Sequence, residues 1–231
     1  MLIDINFNVY SDAKGRDPDS TSPTLRKYHK ELWSKPLPNG KHLELSDTHK
    51  AAYLYHKSEL GEFFLGSDAI THSYKNHKRK YWLITQLQSE VDELFNIGST
   101  IGSYTIFPNN RIDGKHTINQ ARGVNRLIDD RFDLTLECIR LFYLEQKSPL
   151  YDTLMRYKAF FDLFENFIGY THFFLLEDLL DENDRIKFYL PFDDFKTRPT
   201  FSNTNEYLLY KSRVLEFINS RNEKISISSK L

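Results

Sequence analysis

A single cysteine, Cys138, stands in 231 residues, so neither an intramolecular disulfide nor a multi-cysteine zinc site is available. Net charge is nearly absent: 31 Lys plus Arg against 32 Asp plus Glu leave a formal charge of -1. That balance excludes a polycationic nucleic-acid coat, though not a local basic patch. Long apolar runs are missing as well. The richest stretch, 167–176, contains His172 and runs into Glu177 and Asp178, so no membrane-spanning segment is expected. Met1-Leu2-Ile3-Asp4-Ile5 places an acid at position 4 and builds no secretory core. The chain closes on Ser229-Lys230-Leu231, the letters of a peroxisomal address that only a eukaryotic receptor reads. A cytoplasmic protein without membrane association is the expectation.

Most catalytic signatures are also lacking. There is no G-x-S-x-G elbow, H-E-x-x-H helix, Walker lysine loop or G-x-G-x-x-G turn. The eight histidines are scattered, and His72 and His77 are five apart, which a helix does not align for one metal. Cys138 sits among Leu136, Ile139 and Leu141 and reads as a buried thiol. No metal site and no named cofactor follow from these residues, and the sequence does not decide whether the protein is an enzyme.

Aromatics, by contrast, are abundant: 18 Phe, 14 Tyr and 2 Trp make 15% of the chain. With 40% apolar and 27% charged residues, a buried core is affordable and wholesale disorder is excluded. The patterning predicts a single α+β domain over 1–225, with a polar tail at 226–231. Its N-terminal half is mixed with short strands, and its C-terminal half is mainly helical.

Ile3, Ile5, Phe7 and Val9 alternate with polar residues as a half-buried strand does. Ser22-Pro23 reads as an N-cap followed by proline at the first helical position, opening a helix to about Trp33. Short strands are expected at 42–45, 63–65 and 101–108, and helices at 73–87 and 90–97. Further on, helices are expected at 117–127, 130–146, 148–166 (opened by Ser148-Pro149), 167–180 and 205–222. Ile186, Phe188 and Leu190 alternate as a strand ended by Pro191.

Asn109 to Asp133 is the densest segment in groups that do chemistry. On a continuous helix Asn119, Arg122 and Arg126 fall at i, i+3 and i+7 and share a face. Two guanidiniums and an amide suit a phosphate or carboxylate, because Arg forms bidentate bonds to both. Arg111 and Lys115 add cations from the preceding loop. The plain alternative is that these arginines pair with Asp129, Asp130 and Asp133 as structural ion pairs. Arg111 to His116 also fits the Arg-x4-His spacing of small helical ribonucleases, with apolar Ile112 where a polar residue is expected. Asp113-Gly114-Lys115 has the D-x-K form of a metal-dependent nuclease half-site, but its partner Pro18-Asp19 is remote in sequence.

Two other clusters have solvated-face readings beside functional ones. Lys75, Lys78, Arg79 and Lys80 lie with Tyr74, Tyr81 and Trp82 in an acid-free stretch, as in single-strand binders. Glu177, Asp178, Asp181, Glu182 and Asp184 form an acidic run.

Several stretches resemble an uncharacterised bacterial family, a domain of unknown function. They are DPDSTSPTLRKYHKELWSKPLPNGK from Asp17, SELGEFFLGSDAI from Ser58, FPNNRIDGKHTINQARG from Phe107, DRFDLTLECIR from Asp130 and FYLPFDDF from Phe188. They run in order over nearly the whole chain. The resemblance implies one full-length domain in a bacterial cytoplasm and carries no activity or catalytic residue. Methionine is common in that family where His116 stands, which weakens the ribonuclease spacing.

The sequence therefore supports a phosphate-bearing ligand, a nucleotide or nucleic acid, held by Arg111, Lys115, Asn119, Arg122 and Arg126. The alternative is a non-enzymatic module of a defence or toxin pair, whose aromatic excess would supply a surface for a protein partner.

Overall fold

The computed structural model describes residues 2–71 and 82–229. The basic segment Lys75 to Lys80 and most of the helix expected at 73–87 lie outside the described residues; Trp82–Gln86 forms a 3-10 turn. The fold is α+β, with small sheets confined to the N-terminal half.

A one-turn helix α1 (Pro18–Thr21) leads directly into α2 (Pro23–Trp33). The Ser22 hydroxyl accepts from the Leu25 amide at 3.1 Å, satisfying one of the donors that every helix start leaves open. Leu25, Tyr28 and Leu32 turn inward together. A two-stranded ribbon follows, β1 (Lys35–Pro36) against β2 (His42–Leu43). The main sheet is antiparallel, with β4 (Gly61–Ala69) between β3 (Leu54–Ser58) and β5 (Tyr104–Pro108). Its registers pair Tyr55 with Phe64 and Asp68 with Thr105. Glu59-Leu60 closes the β3–β4 hairpin, and Gly61 beyond it has φ +129°, a conformation few side chains tolerate.

The remainder is helical: α3 (Gln88–Gly98), α4 (Ile118–Val124), α5 (Phe132–Tyr143), α6 (Tyr151–Arg156), α7 (Lys158–Phe161), α8 (Phe167–Phe173) and α9 (Thr204–Ser228). Helix α9 lies along α3, where Lys211 is clasped by Glu90 and Glu93. It continues past Ser226, into the stretch expected as a tail.

The aromatic excess fills the interior. Trp33, Phe160, Phe161, Phe164, Tyr170, Phe173 and Phe174 form one contiguous ring cluster, with Phe164 and Phe173 centroids 4.9 Å apart. Offset and edge contacts of this kind are favourable beyond their area alone. Among the described residues, Trp82 is the one large aromatic left exposed.

The helix expected at 167–180 ends at Phe173, and in three further places the structure differs from expectation because a side chain claims backbone that a regular element would use. Residues 3–9 form turns: Asp4 and Asn8 carboxyl and amide oxygens accept from the Asn6 and Tyr10 amides, both at 2.9 Å. Such Asx turns compete directly with a strand ladder, although Ile3 and Val9 still bury. Residues 186–190 make only an isolated Leu180–Ile186 bridge. There the Tyr189 amide donates to Asp133 at 2.9 Å, and the Phe188 and Tyr189 carbonyls accept from Arg213 at 3.0 Å each. The helix expected at 148–166 starts only at Tyr151 and breaks at Tyr157 (φ -109°, ψ 22°), whose hydroxyl donates to the Asn110 carbonyl at 2.8 Å. Leu150, Leu154, Tyr157, Phe161 and Phe164, which recur at i, i+4, i+7, i+11 and i+14, are all buried.

Candidate functional site

Four remote segments converge beside β4. Asp17 caps α1, with proline next in the chain, and this short turn sets Asp19 against the strand. The Ser67 hydroxyl then donates to the Asp19 carboxylate at 3.1 Å. Asp68 follows on β4. Gly66 precedes them, and a Cβ there would lie within 2.8 Å of the Asn109 side-chain amide, which rests against it. Asn109 is held by its own amide, which donates to the Phe64 carbonyl at 2.8 Å. Asn119 comes from α4, whose start is a reciprocal capping box between Thr117 and Gln120.

Two cavities open here. A smaller one, about 190 Å³, is walled by Tyr10, Leu94, Phe95 and Tyr104 together with Asp68 and Asp130. A larger one, about 480 Å³, is walled by Arg26, Lys50, Tyr53, Ser67, Asn109 and Asn110. Asp17, Asp19 and Asn119 line both. Charge is therefore separated along the pair, with carboxylates in the shared wall and the small cavity and cations only in the large one. The Arg26 guanidinium is bound by the Tyr53 and Ala52 carbonyls and makes no ion pair among the described residues. Lys50 is exposed.

Crowded carboxylates resist ionisation. Burial, then Asp68 and Asp17, push the half-buried Asp19 well above the usual carboxylate range. Burial likewise raises Asp68 to about 6, against the opposing pull of Arg122. Tyr10 rises to about 12 through burial and the neighbouring Asp17 and Asp19. Asp19 thus ionises less readily than an ordinary carboxyl. Among the described residues no group of three or more His, Cys, Asp or Glu is arranged to hold a metal ion.

The residues expected to bind ligand part company. Asn119 lines both cavities. Arg122 is fully buried, ion-paired with Asp68, and donates to the Thr135 hydroxyl at 2.8 Å and the Asp130 carbonyl at 3.1 Å. Asp129 and Asp130 are successive left-handed residues (φ 46° and 65°), a bend that Asp tolerates better than most, and it turns Asp130 back toward Arg122. Arg126 does not share a helical face with Arg122. Helix α4 ends at Val124 because the Asn125 side chain accepts from the Leu127 amide at 2.9 Å, and Arg126 is exposed beyond it.

Arg111 and Lys115 are exposed on the loop after β5 and line neither cavity. Asp113 and Lys115 are not brought beside Asp19 in these walls, and His116 is exposed. Arg131 and Arg198 pair with Asp133 and Asp129. Sequence reading passed over Asp17, Asp68, Tyr104 and Arg26. The available signal was Ser67-Asp68, a polar pair inside an otherwise buried strand.

The displaced ionisation of Asp19 has a thermodynamic signature. Its folded pKa lies above the unfolded value of about 3.9, so the folded chain binds more protons between those two values. Its contribution is therefore full at the acid end and fades as pH rises through the raised pKa. Asp19→Asn should be about 1–2 kcal/mol more stable than the parent at pH 8, with the gain vanishing near pH 4. Denaturant melts across that range measure this directly, and equal stability of the two proteins at pH 8 would contradict it.

Residues 3–225 match the model of a family described as a family of unknown function, DUF6994. No curated protein matches the chain, and neither does any solved structure.

Proposed function

We propose that this chain, which belongs to the DUF6994 family of unknown function, binds a phosphate-bearing ligand of the nucleotide class across the two adjoining cavities. The observation that carries the reading is the separation of charge around the shared wall of Asp17, Asp19 and Asn119. Arg26 and Lys50 suit a phosphate at one end. Carboxylates and the amides of Asn109, Asn110 and Asn119 suit sugar hydroxyls in the middle, and Tyr10, Phe95 and Tyr104 suit a flat ring at the other end. The Asn/Arg-rich segment contributes its asparagines directly. Arg122 acts from beneath by holding Asp68. Arg111 and Lys115 follow on the same exposed loop, where a longer nucleic acid would find further cations.

Thermal melts with AMP, GMP, CMP and UMP test this. A ligand at 100 times its Kd adds about 2.7 kcal/mol, a rise of roughly 5–10 °C for a chain of this size. The rise should be lost in the Arg26→Ala/Lys50→Ala double variant and kept in Arg126→Ala. A rise that survives the double variant would place the phosphate elsewhere.

A further inference from the structure

Resting on that binding reading, we propose that the ligand is a dinucleotide unit of single-stranded nucleic acid. Its second base stacks on His49 and Tyr55 in a third cavity, and the phosphate at Arg26 and Lys50 is the diester that joins the two nucleosides.

The third cavity, about 740 Å³, lies beside the larger of the first two, and Lys50 and Ala51 line both. Its volume falls within the range of small-ligand sites, roughly 300–1,000 Å³. None of Asp17, Asp19, Asp68 and Asp130 lines it. Its charged lining sets Lys50 and Lys57 against the one carboxylate of Glu44, a balance that favours an anionic chain.

The aromatic wall follows from the register of the sheet. Successive side chains of a strand alternate between faces. Leu54 and His56 of β3 turn inward with Phe63 and Leu65 of β4, and all are buried. Tyr55 and Phe64, paired across the two strands, are therefore on the outer face and half-buried. His49, from the loop before β3, lies on Tyr55 with ring centroids 4.2 Å apart and planes 18° from parallel. It meets Phe64 edge-on at 5.4 Å. His49 and Tyr55 line the third cavity, and Phe64 lines the larger of the first two. Most rings of this chain fill its core, whereas these three lie across two neighbouring cavities. Rings on an outer sheet face are the platform on which single-stranded nucleic acids stack their bases.

Polar groups hold the platform in place. The Tyr55 hydroxyl donates to Glu62 on the adjacent strand. His49 Nδ1 accepts from the Ala51 amide at 3.2 Å, which ties the ring to the turn carrying Lys50. In the neutral ring the hydrogen is then on Nε2, a donor for a base edge or a sugar hydroxyl. Lys57 pairs with Glu62 at 3.4 Å, an exposed pairing of little strength, so its charge remains available.

The order of the parts gives the bound strand a direction. The 5′-phosphate of the first nucleotide sits at Arg26 and Lys50, with its base in the small cavity. A neighbour reached through that phosphate is attached by its 3′ oxygen, so the nucleoside on His49 and Tyr55 is the 5′ one.

The test is calorimetry of the full chain with AMP, GMP, CMP and UMP, and with the dinucleoside monophosphates ApA, GpG, CpC and UpU. The diester carries less negative charge than a free nucleotide phosphate, so tighter binding of a dinucleotide reports its second nucleoside. At least one dinucleotide should bind about 5- to 150-fold more tightly than its nucleotide, the range of one stacked base. Tyr55→Ala should abolish that gain, and Tyr55→Phe, which keeps the ring, should retain it. His49→Ala, a change in a loop, should reduce it as well and serves where Tyr55→Ala does not fold. Dinucleotides no tighter than nucleotides in every pair, or a gain that survives loss of either ring, would overturn the second seat and leave the nucleotide reading standing. Failure of all the compounds to bind would remove both.

Discussion

Replacing Arg122 by methionine should lower stability by about 3–5 kcal/mol, the range found when one partner of a buried ion pair is removed. For a chain of this length that is a fall of roughly 6–20 °C in Tm. The guanidinium is fully buried and joins four groups from three segments: Asp68 and the Ala69 carbonyl on β4, the Asp130 carbonyl before α5, and Thr135 within it. Methionine fills much of the volume but leaves Asp68 in a low-dielectric site with no cation.

The pH dependence distinguishes this cause from simple loss of packing. Without Arg122 the Asp68 pKa rises further, so the folded variant takes up a proton that the unfolded chain does not hold. Its deficit should therefore shrink as pH is lowered from 8 toward 5. Asp68→Asn added to Arg122→Met should recover about 1–3 kcal/mol, because a neutral amide tolerates the same burial. A deficit that is flat with pH, and no recovery in the double variant, would show that Arg122 acts through shape alone.

Arg221 should matter as much, for a different reason. It is fully buried on α9 and reaches no carboxylate within ion-pairing distance among the described residues. Its guanidinium instead donates to three backbone carbonyls: Phe174 at 3.0 and 3.1 Å, Gly102 at 2.9 Å and Tyr104 at 2.8 Å. It lies 5.6 Å from the Trp33 ring centroid. These contacts join α9, the entry to β5 and the turn after α8, so one side chain closes the interior around the aromatic cluster.

A partner carboxylate can be mutated away along with its arginine, but backbone carbonyls cannot. Arg221→Met leaves three acceptors unsatisfied at about 1–3 kcal/mol each. Part of this is offset by no longer burying a lone cation, so a net loss of about 3–5 kcal/mol is expected. Arg213→Ala is the control. Arg213 also donates to two carbonyls but is exposed, and water replaces it at a loss of about 1 kcal/mol or less. Similar losses in both variants would contradict the accounting.

Legibility in the sequence followed locality. Ser22-Pro23 marked the start of α2 because cap and helix are neighbours in the chain. Leu25, Tyr28 and Leu32 of α2 and Tyr207, Tyr210, Val214 and Phe217 of α9 stand at helical spacing in the sequence and bury together, because burial of one face dominates helix energetics. Residues 3–9 and 186–190 alternate like strands yet are not, since alternation does not reveal that Asp4, Asn8, Asp133 and Arg213 bind the backbone first. The break at Tyr157 was equally hidden, because its anchor is the Asn110 carbonyl of a remote loop.

The site was the least legible part. Its walls come from residues near 17, 67, 109 and 119, and no local pattern joins them. Arginine density drew attention to Arg122 and Arg126, whereas the fold buries the first and leaves the second exposed past the end of α4. The acidic residues that matter, Asp17 and Asp19, sat in a segment whose Asp, Gly, Pro and Ser content read as loop. Asp68 carried the better hint, as a charged residue in a strand that is otherwise buried along most of its length.

The central claim is that the adjoining cavities around Asp19 are the ligand site. Its most direct test is titration of isotope-labelled protein with AMP, followed through backbone amide resonances. The account predicts saturable shifts concentrated at Asp19, Ser67, Asn109, Asn119 and Tyr104, with Val124 and Arg126 unmoved. Shifts confined to the surface around Val124 and Arg126, with the cavity amides unmoved, would contradict it.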